Sequence, residues 1–386
     1  MSLPKLQNTL FLDATVDVKG TAYETIVSNT LKQEAGQFFT PRNVIKCMVE
    51  MLNPTINSRV LDPACGSGGF IVMVLDHVRK QITKNMFSEL EGALLEAKAN
   101  SDAVNVKVKE YAENMIFGFD FDPDLKKAAK MNMVMAGDGH SNIYNINSLE
   151  YPNGTLPDVE KVSESVANSI KHKGDIDECD SAYSLDNALG KFDCIFTNPP
   201  FGSKVEVAST IAENYELKAF TAPEVLFIEQ CYNFLKPGGK MGIVLPDGIL
   251  GNPKMESVRK WILEHFKLLA SIDLPVEAFL PQVGVQASLL FLQKKTALER
   301  LVDPNSEMYD VFMAIAEKVG KDRRGNVIYE RDDDGAEILF VENKEWASYN
   351  HNGELISRHR TERVKHVDDD LPKISTAYKK FLEGLL

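Results

Sequence analysis

Asn198, Pro199, Pro200 and Phe201 stand directly after an apolar run, Phe192-Asp193-Cys194-Ile195-Phe196-Thr197. Such a run reads as a buried strand. An amide, two prolines and an aromatic at its end form a stiff, projecting turn. Proline fixes φ and has no N–H, so the carbonyls around it stay open as acceptors. An amide oxygen, a carbonyl and a ring face together suit a planar base held by its exocyclic amine. An ordinary Pro-rich turn has the same composition, so the neighbouring motifs decide the reading.

A second motif is Asp62-Pro63-Ala64-Cys65-Gly66-Ser67-Gly68-Gly69-Phe70, placed between a strand and a helix. That is the context of a nucleotide-binding glycine loop, in which glycines allow close backbone approach and positive φ. A dinucleotide fingerprint would aim a helix N-terminus at pyrophosphate. Here a carboxylate ends the strand. It repels phosphate but can pair with an ammonium, which suits the amino-acid end of S-adenosylmethionine better than NAD or ATP. Ala64, Gly66, Ser67 and Gly68 are the loop residues expected along the ligand.

Asp120 and Phe121 follow a second strand. An acidic residue there commonly accepts hydrogen bonds from ribose hydroxyls, and Phe121 can pack on an adenine ring. Asp122 reads as the cap of a helix starting at Pro123. Asn147, after a third strand, can reach the adenine edge. In Gly36-Gln37-Phe38-Phe39-Thr40-Pro41, Phe39 and Thr40 can close over a ligand. Thr40 also reads as the N-cap, with Pro41 first in the helix.

The elements that must position these residues alternate. Strands are expected at 59–61, 115–118, 142–146, 192–197, 240–245, 269–274 and 287–292. Helices are expected at 21–33, from 41 through Leu52, and at 70–78, 123–136, 227–235 and 255–266. This β/α alternation predicts a mostly parallel sheet covered by helices on both faces. The sixth and seventh strands have no helix between them, so the seventh, and last, is expected to run antiparallel. Residues 151–190 are polar and acidic and read as an insertion. After Lys295 the pattern stops, until a terminal helix over 373–385 with Ile374, Ala377, Tyr378, Phe381 and Leu382 on one face. The expected organisation is a helical stub (1–35), a catalytic domain (36–295) and a C-terminal extension (296–386) that can dock a partner or complete the chain's own core.

The 386 residues are 44% hydrophobic, enough for a substantial core. No apolar run is long enough to span a membrane, and the start shows no secretory pattern. The five cysteines include no CxxC pair and the seven histidines no metal-ligand spacing. Reduced, cytoplasmic cysteines and no metal site are expected. A net charge of −13 argues against strong autonomous nucleic-acid binding, which needs a concentrated positive surface. The basic cluster Arg358, His359, Arg360, Arg363 and Lys365 reads first as solvated surface.

In their order, these motifs resemble those of the gamma arrangement of adenine-N6 DNA methyltransferases. Within that group the chain resembles the modification subunit of a type I restriction-modification system. Gly36 to Pro41, Asp62 to Phe70, Asn198 to Gly202 and Leu235 to Gly239 carry the likeness. Val276 to Phe279, Gly284-Val285 and Ala287 to Leu292 support it. The resemblance implies a Rossmann-like, S-adenosylmethionine-dependent α/β fold with seven strands. It implies methyl transfer to adenine N6 in double-stranded DNA, with a specificity subunit and a restriction subunit as partners. By position, Thr40, Asp62, Asp120 and Asn147 contact the cofactor, and Phe227 packs near its adenine. Asn198, Pro199 and Phe201 match the catalytic motif, and Phe279 a second aromatic against the extruded base. Subunits of this kind carry a longer helical region before the Gly36 motif than the stub seen here. Methyltransferases for RNA or protein glutamine use a similar clamp, and a silent cofactor-binding scaffold is a further alternative.

Overall fold

The computed structural model describes residues 39–137, 142–150, 192–201, 207–301 and 308–385. The expected helix at 21–33, the acidic insertion at 151–190, Gly36 to Phe38, Cys179 and Gly202 lie outside them.

Helix α1 (Arg42–Leu52) leads into β1 (Val60–Asp62) and α2 (Gly69–Met86). Two helices that the sequence reading did not assign follow, α3 (Gly92–Lys98) and α4 (Asp102–Met115). Next come β2 (Ile116–Asp120), α5 (Pro123–Met135) and β3 (Asn142–Asn145). Strand β4 (Phe192–Thr197) ends at the Asn-Pro-Pro-Phe segment. The short α6 (Ser209–Ala212) and α7 (Pro223–Phe234) precede β5 (Leu235–Pro246). Then follow α8 (Asp247–Gly251), α9 (Glu256–His265), β6 (Phe266–Asp273) and β7 (Ala287–Lys294). Beyond Lys295 lie β8 (Phe312–Ile315), β9 (Phe340–Tyr349), β10 (Leu355–Val364) and α10 (Leu371–Leu382).

The main sheet has the order β3-β2-β1-β4-β5-β7-β6-β8. Strand β1 pairs in parallel with both β2 and β4, so chain order reverses between β1 and β4. Ligand clefts of open α/β sheets form at such a reversal, beyond the carboxyl ends of the strands. Strand β7 is antiparallel to both β5 and β6, as expected from the missing helix. It is an interior strand, however, rather than the last one.

The sheet has eight strands, which corrects the expected seven. Strand β8 pairs in parallel with β6 at the sheet edge. It was missed because it is four residues long and half exposed in alternation, so it lacks a buried run.

Alternate residues of each central strand enter different layers, as the period of two requires. Leu289 and Phe291 face the layer of α1, α2, α4 and α10, whereas Leu290 and Leu292 face that of α7 and α9. Burial on both faces explains why these strands read as continuous apolar runs.

The segment after Lys295 is tied into this core. Leu371, Ile374 and Tyr378 of α10 join the α1 layer. Tyr378 packs on Phe291 and Phe312 at ring separations of 6.5 and 5.3 Å. Helix α10 thus completes the chain's own core; of its expected apolar face, Leu382 is exposed. Strands β9 and β10 form a separate exposed hairpin carrying Arg358, His359, Arg360 and Arg363.

Leu371 is fully buried. Leu371→Ala should destabilise the whole protein by about 2–5 kcal/mol, the range for such core truncations. Denaturant unfolding should show one transition at a lower midpoint. An unmoved main transition would mean that α10 is an appendage.

Candidate active site

Asp62 is the last residue of β1 and is 1% exposed. Its Oδ1 accepts the Ala64 N–H at 3.1 Å. Burial pushes its carboxyl up to about 8; the Ala64 N–H and the Thr197 side chain oppose this, while the Asp120 charge adds to it. A carboxylate placed so deep, without a cation among its described contacts, is poised to receive one.

The following loop turns sharply. Gly66 and Gly68 have φ of +52° and +85°. At Gly66 an added Cβ would have no neighbour within 4 Å, so the backbone there borders open space. At Gly68 it would press within 3.2 Å of Ala129. One glycine therefore opens the cleft and the other lets α2 close on α5.

Asp120 ends β2. Its Oδ2 accepts the Gly66 N–H and its Oδ1 the Asp122 N–H, both at 2.9 Å. Burial raises its carboxyl to about 6 against those two bonds. Asp120 thereby fastens the glycine loop, a task the sequence did not disclose. Asp122 caps α5 through the N–H groups of Asp124 and Leu125, as expected.

Asn198 lies beyond β4, beside the β1 end. Its Nδ2 donates to the Thr40 hydroxyl at 3.0 Å. Its Oδ1 is buried and has no hydrogen-bond partner among the described residues. Leaving such an acceptor unmet costs about 1–3 kcal/mol. Thr40 does not cap α1: Pro41 occupies the cap position, without a side-chain cap bond, and Arg42 begins the helix. Its hydroxyl is turned to Asn198 instead.

Two clefts meet at Ala64, Gly66 and Asn198. The smaller is bordered by Phe39, Thr40, Asp62 and Ser67. The larger, about 360 Å³, is bordered by Asp120, Phe121, Asn147 and Phe227 and by Pro199, Pro200 and Phe201. Phe121 is 63% exposed at its rim. The expected residues are thus gathered at one place, with two exceptions. Gly68, packed against Ala129, borders neither cleft. Phe279 is 3% exposed and borders neither cleft. Its ring meets Phe201 edge-on, 6.4 Å away at 90°. Two perpendicular rings cannot sandwich a base, so in this arrangement Phe279 supports Phe201.

Sequence reasoning missed a buried polar brace behind the larger cleft. Ser148 Oγ donates to the Pro63 carbonyl at 2.5 Å, and Gln230 Nε2 to the Ser148 carbonyl at 2.8 Å. Tyr215 donates its hydroxyl to the Leu149 carbonyl at 2.8 Å. The signal was present: Glu229 and Gln230 interrupt the apolar run between Ile228 and Cys231.

Residues 14–357 match the N-6 DNA Methylase family. The chain belongs to that family. Among curated methylases, it is 27% identical over 290 residues to the type I restriction enzyme StySPI methylase subunit of Salmonella potsdam, covering 74% of this chain and 46% of that one. The EcoKI methylase subunit of Escherichia coli K12 is 26% identical over the same shares. The chain therefore spans about half the length of these methylase relatives. A modification subunit from Vibrio vulnificus YJ016 superposes with a TM-score of 0.53 at 21% identity, covering 88% of this chain and 63% of that chain, which establishes a shared fold.

The raised carboxyl of Asp62 has a consequence for this methylase fold. An unfolded aspartate loses its proton near pH 4, whereas folded Asp62 keeps it to about pH 8. The folded state thus binds more protons between these values, and stability falls as pH rises through them, by at most about 1.4 kcal/mol per pH unit. Asp62→Asn should flatten this decline in thermal melts of the ligand-free protein from pH 5 to 8. Parallel curves for wild type and variant would show that Asp62 is not held protonated.

Proposed function

We propose that this chain transfers a methyl group from S-adenosylmethionine to the N6 amine of adenine in double-stranded DNA. In this reading it acts as the modification subunit of a type I restriction-modification system in the cytoplasm. The observation that carries it is the buried Oδ1 of Asn198, unpartnered among the described residues, at the junction of the two clefts.

The residues present fit the cofactor. Asp62 offers a buried carboxyl, protonated in the free protein, that a cofactor ammonium would favour in its ionised form; Gly66 offers an open backbone edge and Asp120 lone pairs for ribose hydroxyls. Phe121, Asn147 and Phe227 border the larger cleft, where an adenine fits. Thr40 and Phe39 border the donor end. When bound, the cofactor supplies an electrophilic sulfonium methyl.

The chain's own residues prepare the acceptor. An adenine amine is a weak nucleophile because its lone pair is delocalised into the ring. Asn198 Oδ1 and the Pro199 carbonyl each take one of its N–H groups. These bonds favour a tetrahedral nitrogen, localise the lone pair and stabilise the positive charge that develops there. Holding amine and methyl in line contributes further. No covalent enzyme intermediate is required. Cys65 and Cys194 are buried, and burial raises both thiols well above their ordinary range, to about 12 for Cys194. Neither is needed as a nucleophile.

The amine is closed off inside a duplex, so the base is extruded into the larger cleft. Phe201 stacks on it, with Phe279 behind. The acidic surface makes a specificity subunit the natural source of sequence reading and of most DNA affinity, with a restriction subunit completing the system. The family assignment disfavours an RNA or protein-glutamine substrate. The assembled Asn198 to Phe201 segment disfavours a silent scaffold.

Asn198→Ala should reduce methyl transfer by at least about 100-fold, as for loss of a single transition-state hydrogen-bonding group, while cofactor affinity persists. Phe201→Ala should lose less, since stacking contributes roughly 1–3 kcal/mol. Incorporation of labelled methyl into DNA by the chain with its specificity subunit tests both. Near wild-type transfer by Asn198→Ala would refute the clamp, and labelling of RNA or protein instead would redirect the substrate.

A further inference from the structure

An asparagine amide presents an acceptor on one side and two donors on the other. Its local sequence does not determine which side faces a ligand. At Asn198 the choice is made by a residue 158 positions away: Nδ2 donates to the Thr40 hydroxyl at 3.0 Å. With the donor side engaged, Oδ1 remains the open acceptor, buried and without a partner among the described residues. Buried acceptors are rarely left so.

Thr40 rests on a firm base. The Ile45 N–H bonds to the Pro41 carbonyl at 3.0 Å at the start of α1. Asn43 donates to the Val319 carbonyl and to Asp369 Oδ2 at 3.1 and 3.0 Å. Ser375 of α10 donates to Glu50 at 2.8 Å. The C-terminal segment therefore anchors the helix whose entry carries Thr40.

We propose that Thr40 is a positioning residue for the base clamp. Its hydroxyl oxygen accepts from Asn198 Nδ2 and fixes the amide so that Oδ1 receives an N–H of the target amine. The reversed amide would set its own N–H groups against those of the adenine. This inference rests on the adenine-methylating function proposed above and adds a role for Thr40 besides contact with the cofactor.

Thr40→Val keeps the shape and removes the hydroxyl, whereas Thr40→Ser keeps the acceptor. The test is single-turnover methyl transfer to a target duplex at saturating S-adenosylmethionine, by the chain with its specificity subunit. Cofactor affinity is measured alongside by calorimetry. Thr40→Val should slow the single-turnover rate about 10- to 100-fold, the scale of a misplaced reacting group. That slowing should persist at saturating cofactor, whatever cofactor contact Thr40→Val also removes, and Thr40→Ser should recover most of the rate. A wild-type rate for Thr40→Val beside an inactive Asn198→Ala overturns the inference and leaves the clamp standing. A loss confined to cofactor affinity also overturns it, because Thr40 would then act on the donor alone. Slowing by Thr40→Ser as great as by Thr40→Val overturns it as well, since the hydroxyl would then not be the operative feature. An active Asn198→Ala removes the clamp itself.

Discussion

Parallel pairing of β1 with β4 is the constraint on which the site depends. Leu61 stands opposite Ile195, so the two strands end side by side. One delivers a buried carboxylate, Asp62, and the other an amide, Asn198. The first is suited to a cationic group and the second to a polarised N–H. Because chain order reverses between these strands, no crossover helix covers the gap. The glycine loop and the Thr40 segment close it from one side, and the braced 146–149 segment from the other.

Much of this was readable from the residues. Strand β4 matched its apolar run end to end, and β7 was correctly reversed because no helix separates it from β6. The strand-end motifs were also legible as a group, and the structure brings Asp62, Gly66, Asp120 and Asn198 to the two clefts. Other features were hidden for physical reasons. Helices α3 and α4 bury few residues relative to their length, so their periodicity is faint. Strand β8 is a half-exposed edge. Thr40 looked like a cap because threonine before Pro41 fits that pattern, yet its hydroxyl has a partner distant in sequence. Phe279 showed its identity but not its ring orientation, which packing against Phe201 determines.

Charge distribution bears on how such a chain meets a polyanion. The basic residues of the β9–β10 hairpin are partly consumed by carboxylates: Arg360 pairs with Glu362, and just beyond β10 Lys365 pairs with Glu337. Exposed pairs of this kind contribute little to stability, but they neutralise charge that could face phosphate. Acidic side chains thus stand within this basic cluster as well.

The anchoring of α1 by α10 has a consequence during biosynthesis. Glu50 and Ser375, joined by a hydrogen bond, are 325 positions apart in the chain. The Asn43–Asp369 contact spans 326. Contacts so distant form late, because the intervening loop must close first. On the ribosome, the helix that follows Thr40 emerges well before its buttress, since Ser375 lies 325 positions beyond Glu50. A nascent chain therefore holds an unbraced pocket until translation has passed Ser375.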